Sequence, residues 1–154
     1  MVKNKNLEVD VVDGMRDTVI VIMSKNKETG FLEKEIGNYT VAENDHFIVN
    51  AYALEELGGY KIHIKISVDK EVEDWEFDAI YDYYDDEALK TLVTEIIEVE
   101  ECYDPTWEVV FDFIDSQEAM ESKIAAILEC HKNELLDVFE VIKEKKSEYV
   151  YITH

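Results

Sequence analysis

The chain has 154 residues, of which 47% are hydrophobic and 34% are charged, and its 37 acidic and 15 basic residues give a formal net charge of −22. A chain of this length and apolar content can bury a core without a metal or a disulfide, which excludes disorder of the whole chain and a low-complexity architecture. Charged groups are seldom buried unpaired, so the negative charge must lie on the surface, where it repels phosphate. We therefore expect a single soluble α+β domain, residues 1–154, that contacts neither nucleic acid directly nor a membrane surface.

The cysteines and the apolar runs indicate the compartment. Cys102 and Cys130 lie 28 positions apart, and no basic-then-apolar leader is recognisable before them. We expect a cytoplasmic protein with both thiols reduced. The longest all-apolar run, Val19 to Met23, is far shorter than the roughly 20 residues that a membrane helix needs.

Period-two patterns dominate the first half of the chain and predict strands. The β-branched run at 18–23 is apolar on both faces, as in a central strand. A polar connection follows it, and 31–36 reads as the returning strand, with a further strand at 7–12. Residues 46–52 fit a strand, although 50–57 before Gly58-Gly59 also fits a short helix, and the pattern leaves this choice open.

The clearest alternation lies in residues 60–68, where apolar side chains alternate with a basic row. Residues 75–83 repeat the pattern with an acidic row, so we predict that the two segments form a hairpin. Two registers satisfy the pattern, one with Lys65 opposite Glu76 and the other with Lys65 opposite Asp78. Either register explains part of the charge pattern without any ligand.

The second half predicts helices. Capping acids precede a helical apolar spacing at 86–99, and residues 107–113 alternate as a strand after Pro105. A long helix follows at 116–146, either broken near 131–133 or projecting, because it exceeds the width of such a domain. Residues 149–153 read as a short terminal strand. The predicted fold is α+β, with an antiparallel sheet of about six to eight strands packed against one medium helix and one long C-terminal helix.

An acidic, tyrosine-containing segment is the first candidate site. Its proposed binding residues are Asp78, Asp82, Tyr84, Asp85, Asp86 and Glu87. Hard cations need several convergent oxygens, and no EF-hand loop is present, so we predict a solvated acidic surface with no metal and no cofactor. Tyrosine beside exposed charge is typical of protein contact surfaces, and Tyr84 is the tyrosine that the predicted strand face does not use.

Histidine and cysteine form the second candidate. Zinc sites need short paired spacings, whereas adjacent Cys130 and His131 would lie about 100° apart on a helix. The pair His131-x2-Glu134 shares a helical face but is a single weak match to a metal site. We find no nucleophile elbow, phosphate loop or dinucleotide turn, so no catalytic residue is assigned.

Two functional hypotheses follow. The first is a non-enzymatic acidic interaction or inhibitor protein whose partner is a basic protein, such as a toxin or a nucleic-acid-binding protein blocked by a phosphate-like array. The alternative is a cation-dependent or small-molecule enzyme with an acid/histidine site and His63 or His131 as the base. Homo-oligomerisation through the long helix or an edge strand is compatible with either hypothesis.

Overall fold

The computed structural model describes residues 17–150 and has an α+β fold, which confirms the predicted class. The six strands are β1 (Thr18–Lys25), β2 (Leu32–Val41), β3 (Ile48–Glu56), β4 (Gly59–Ser67), β5 (Glu95–Glu98) and β6 (Thr106–Asp112). The helices are α1 (Asp74–Tyr83), α2 (Glu87–Lys90), α3 (Gln117–Ile142) and α4 (Lys146–Val150). The strands form one sheet in the order β2-β1-β3-β4-β6-β5, antiparallel except where β1 meets β3.

The strands predicted at 18–23, 31–36, 60–68 and 107–113 correspond to β1, β2, β4 and β6. The open choice at 46–57 is resolved as strand β3, which follows a 3-10 turn at Asp45–Phe47. Glycines 58 and 59 close the β3–β4 hairpin at φ values of 94° and 147°, a backbone region that favours glycine. The strand predicted at 7–12 lies outside the described residues.

The strand predicted at 75–83 is wrong, because these residues form helix α1. A capping box nucleates the helix, since the Glu73 side chain accepts from the N3 backbone and Glu76 accepts from the Glu73 amide. The predicted hairpin and both of its registers are therefore also wrong. Strand β4 pairs instead with β3 and β6, and Lys65 lies opposite Glu108. The basic row of β4 still meets an acidic row, but β6 supplies it.

The medium helix predicted at 86–99 is also wrong. Only one helical turn, α2, forms there, and the chain then enters edge strand β5. The amide of Thr94 donates to the Val110 carbonyl at 2.8 Å, which starts the β5–β6 pairing. The helical spacing of the apolar side chains is real, but pairing with β6 satisfies the backbone better for a segment rich in β-branched residues.

Helix α3 runs unbroken through 26 residues, about 39 Å, which resolves the open choice against a break near 131–133. Ser116 caps it by accepting from the Ala119 amide at 3.2 Å. The terminal strand predicted at 149–153 is replaced by α4 as far as Val150, and its remaining residues lie outside the described part.

The helices pack on one face of the sheet, and the core lies between the two layers. From the sheet, the core includes Ile62, Ile64, Ile66, Trp107, Val109 and Phe111; from the helices, Ala79, Ile80, Leu89, Met120, Ile124, Leu128 and Leu135. In residues 17–150, no helix covers the opposite sheet face. No described helix combines the length and the apolar character needed to cross a bilayer.

Candidate functional site

Asp78 and Asp82 lie on the exposed surface of α1. The change from predicted strand to helix does not separate them, because positions four apart share a helical face as well as a strand face. The Asp82 carboxylate accepts a hydrogen bond from the Tyr149 hydroxyl at 2.6 Å. Asp78 has no ion pair or side-chain hydrogen bond within residues 17–150, so its charge is free to act at long range.

Asp85 and Asp86 lie in the connection from α1 to α2, and Glu87 is the first residue of α2. Their carboxylate oxygens lie within 4.8 Å of one another, close enough for a cation to bridge them. Lys90 is already 3.4 Å from both Asp86 and Glu87 and compensates part of this charge. The three acids are thus brought together by local sequence, and a lysine of the same turn partly satisfies them.

Tyr84 faces the protein interior instead of solvent. Its ring stacks on Trp107 with centroids 4.3 Å apart, and its hydroxyl is 2.8 Å from Nδ1 of His131. Burial raises the pKa of the Tyr84 phenol well above its ordinary value, so this hydroxyl stays protonated and donates to Nδ1. The aromatic group predicted to be spare is therefore part of the packing beneath the acidic segment.

His131 is fully buried on α3 and both of its ring nitrogens are engaged. Nε2 lies 2.7 Å from the Ser67 carbonyl, which can only accept, so this nitrogen carries the proton and Nδ1 accepts from Tyr84. Burial lowers the pKa of His131 to about 4, and the ring is neutral near pH 7. A histidine with neither nitrogen free is a packing and docking group, and this arrangement does not support the base assigned to it in the enzyme hypothesis.

A cleft of about 230 Å³ lies directly above these groups, between α2 and α3. We call it the acidic cleft, and it is lined by Tyr84, Asp85, Ala88, Leu89, Cys130, Asn133, Glu134 and Asp137. The sequence reasoning singled out Asp85 and Tyr84 but did not assign Glu134 or Asp137 to this site. Their spacing along α3 with Cys130 and Asn133 was a signal for one shared helical face, although nothing in the sequence showed that α2 lies against it.

Like charges converge in the acidic cleft. Burial is the main cause that raises the pKa of Glu134, and the negative charges of Asp85, Asp137 and Asp86 raise it further. The Asp85 amide donates to Glu134 Oε2 at 2.8 Å and offsets only part of this effect. Within residues 17–150, neither Glu134 nor Asp137 has a lysine or histidine within ion-pair distance. The repulsion in this cleft is therefore not compensated by a basic side chain of residues 17–150.

A neighbouring carboxyl group shows the same electrostatic environment. Burial is the main cause that raises the pKa of Glu98 on β5, and the negative charges of Asp82, Asp86 and Glu100 raise it further. The negative potential thus extends from the acidic cleft across α1 to the edge of the sheet. The thiol of Cys130 is free, and burial followed by Glu134 raises its pKa, so it lines the cleft as a protonated, weakly nucleophilic group.

A second cluster lies on the sheet face that the helices do not cover. His63 Nδ1 is 2.9 Å from Glu108 Oε2, and the Tyr52 ring stacks on His63 with centroids 4.9 Å apart. The Tyr52 hydroxyl donates to the other oxygen of Glu108 at 3.4 Å. His63 Nε2 is buried without a hydrogen-bond partner in the described part of the chain. Because neighbouring side chains shield this nitrogen, the geometry orients the ring but does not present a base to a substrate.

The fold and the site together define an acidic α+β protein whose helices carry a cleft lined by carboxylates. The chain belongs to the family described as Family of unknown function (DUF6762), whose model matches residues 15–150. No curated protein matches the chain significantly, and no solved structure does either.

Proposed function

We propose that this protein is an acidic interaction protein that binds a basic protein partner through the acidic cleft and the surrounding carboxylates. The observation that carries the proposal is Glu134, a partly buried acid whose neighbours are acids and whose pKa is raised. A site of this kind is unfavourable when empty and ionised, and a positive charge placed in it removes the repulsion.

The cleft fits the side chain of a lysine or an arginine. Ala88 and Leu89 provide an apolar wall for the aliphatic stem, while Asp85, Glu134 and Asp137 surround the position of the charged end. Binding of this kind lowers the pKa of Glu134 toward its ordinary value. Formation of the complex therefore releases protons at pH values between the pKa of Glu134 in the complex and its pKa in the free protein. The partner should therefore bind less tightly as the solution becomes more acidic.

The outer acids serve a different purpose from the cleft. Asp78 and Asp82 on α1, Asp86 in the α1–α2 connection and Glu87 on α2 are part of the net charge of −22, which attracts a basic surface over a distance of about one Debye length. This attraction speeds association and weakens with added salt. A nucleic-acid-binding protein presents a suitable surface, because rows of carboxylates resemble the phosphates that it normally contacts.

The proposal is tested by titrating the protein with a lysine- and arginine-rich peptide at low and high salt. The triple variant Asp85→Asn, Glu134→Gln, Asp137→Asn removes the charge of the cleft. A matched control, Glu28→Gln, Glu43→Gln, Glu144→Gln, removes three exposed acids elsewhere and changes the net charge equally. We expect the cleft variant to lose about tenfold or more in affinity and the control to lose much less.

Two results would count against the proposal. Equal losses in the two variants would show that only net charge matters and that the cleft is not a site. Affinity that is indifferent to salt would remove the electrostatic basis altogether. Isothermal titration calorimetry in buffers of different ionisation enthalpy measures the released protons in the same experiment.

A further inference from the structure

The sheet face opposite the helices is a surface that no helix of residues 17–150 covers. We call it the open sheet face, and it consists of the outward side chains of β1, β3, β4, β6 and β5. Its apolar members include Val19, Val21 and Ile97, which are 55%, 50% and 44% exposed. Met23, Tyr52, Leu54 and the buried Val110 also point to this face in the strand register, in which the polar residues Asn50, Lys65 and Glu108 separate Val21 from Ile97. Exposed apolar side chains on an uncovered sheet face commonly mark an interaction surface.

The charge of the open sheet face differs sharply from that of the rest of the molecule. Its outward positions carry three lysines, Lys25, Lys61 and Lys65, and four carboxylates, Glu56, Glu95, Glu108 and Asp112. The face is thus nearly neutral in a chain of net charge −22. Several of its charges are already paired, since Lys61 bonds to Asp112 and His63 bonds to Glu108. A basic partner has little electrostatic reason to bind here, whereas a second acidic molecule meets little repulsion.

We infer that the open sheet face is the interface of a homodimer in which two copies pack sheet to sheet. Aligned packing of two sheets is an established way to bury such faces, at a separation of about 10 Å. A twofold axis parallel to the strands, between β3 and β4, sets β1 of one copy over β6 of the other. The interface is then self-complementary, as a closed dimer requires.

The strand register sets which side chains meet across this axis. Lys25 of β1 and Asp112 of β6 share one row across the sheet, and Met23 and Val110 share the next. The rotation therefore places Lys25 of one copy against Asp112 of the other, and Met23 against Val110. Lys25 already lies over the Tyr52 ring, 4.3 Å from its centroid, so its charge is held on this face.

The size of the face is adequate for a stable dimer. Five strands spaced about 4.8 Å apart span about 19 Å, and eight residues of strand extend about 26 Å, which gives roughly 500 Å² in projection. Standard interfaces bury about 800 Å² per partner, and the accessible surface of side chains exceeds their projected area. Both acidic clefts remain on the outer, helical layers of such a dimer, so the dimer and the proposed partner binding do not compete.

Sedimentation equilibrium of the full chain at near-physiological salt tests the inference, with twice the chain mass as the expected result. The variant Val21→Glu with Ile97→Glu places two charges in the interface and should give a monomer. Its matched control, Leu136→Glu with Val141→Glu, adds the same charges at exposed apolar positions of α3 and should remain a dimer. Circular dichroism establishes that both variants fold.

Carbodiimide cross-linking of mixed ¹⁴N- and ¹⁵N-labelled chains supplies a second measurement, in which we expect Lys25 to be joined to Asp112 or Glu108 of the other copy. A monomeric wild-type chain would overturn the inference. If that monomer shows cross-links from residues 1–16 to the open sheet face, the chain's own N-terminal segment covers this face instead of a second copy. A dimer that survives Val21→Glu with Ile97→Glu would overturn it equally. The peptide titration proposed for the acidic cleft is separate, so failure of one proposal is distinguishable from failure of the other.

Discussion

Glu134 and His131 lie one helical turn apart on α3, yet burial changes their chemistry in opposite senses. Burial disfavours the charged form of each, so it raises the pKa of the Glu134 carboxyl and lowers that of the His131 imidazole. The histidine is stabilised by two neutral hydrogen bonds, whereas the carboxylate faces further carboxylates. One residue therefore belongs to the packing and the other to the candidate site.

Glu134→Gln should stabilise the free protein while weakening its binding. The raised pKa means that, near neutral pH, the ionised carboxylate costs folding free energy that glutamine does not, and the amide oxygen still accepts from the Asp85 amide. We expect a higher thermal midpoint than wild type at pH 7, with the difference vanishing as the pH falls through the pKa of Glu134. Glu144→Gln, in the exposed turn that follows α3, is the control. An equal gain in its thermal midpoint would show that the stabilisation does not come from the raised pKa of Glu134.

At the scale of elements, His131 connects α3 to its neighbours. Its Nε2–H bonds to the carbonyl of Ser67 at the end of β4, and its Nδ1 accepts from Tyr84 just after α1. Phe47 and Trp107 contact the ring edge-on, with centroids 5.1 and 5.3 Å away. These contacts explain why α3 continues through 131–133, where a break was one of two alternatives, because the histidine is satisfied within the core and needs no solvent.

This connection makes the docking of α3 dependent on pH. The folded pKa of about 4 lies below the ordinary value of 6.5, so the stabilisation is complete above pH 6.5 and is lost as the pH falls toward 4. At about 1.4 kcal/mol per pKa unit, the loss is on the order of 3 kcal/mol. In His131→Gln this pH-dependent loss of folding free energy should be absent, although the variant is less stable than the wild type at pH 7.

Urea unfolding between pH 7 and pH 5 measures the effect as the change in the free energy of unfolding. His46→Gln serves as the control, because His46 is exposed and its removal leaves the buried group in place. If the wild type and His131→Gln lose equal stability over this interval, protonation of His131 is not the cause, and the exposed histidines or carboxyls must be.

At the scale of the whole molecule, charge is distributed unevenly between the two layers. The helical layer carries the acidic cleft and its surrounding acids, while the open sheet face is close to neutral. A net charge of −22 on one chain opposes the compact state through self-repulsion, and this repulsion is screened when the Debye length becomes shorter.

The thermal midpoint should therefore rise as sodium chloride increases from about 0.01 to about 0.5 M, where the Debye length falls from about 30 Å to a few ångströms. Exposed pairs such as Lys90 with Asp86 contribute little and cannot reverse this trend. Differential scanning fluorimetry checks the direction, and a midpoint that falls with salt would show that favourable ion pairs outweigh the self-repulsion.

Local pattern was sufficient for the parts of this fold whose side chains alternate or repeat without ambiguity. The strict alternation of β4 and the β-branched run of β1 could be read directly, because period two places one set of side chains in the core. The pattern failed at 75–83, where aromatic residues at every second position also fit a short helix that buries Ala79 and Ile80. It failed again at 86–99, where pairing with β6 prevailed over a helical apolar spacing.

The sequence by itself determined the α+β class, the long C-terminal helix, the acidic surface and the positions of Asp78, Asp82 and Asp85–Glu87 on it, since composition and periodicity are properties of the chain. Only the tertiary structure decided that Tyr84 turns inward to His131 and that Glu134 and Asp137 join Asp85 around one cleft. The reason is that these residues lie about 50 positions apart in the chain, and no periodic pattern specifies which helix faces meet across such a distance. Packing of α2 against α3 sets that contact, and with it the shared repulsion on which the proposed function rests.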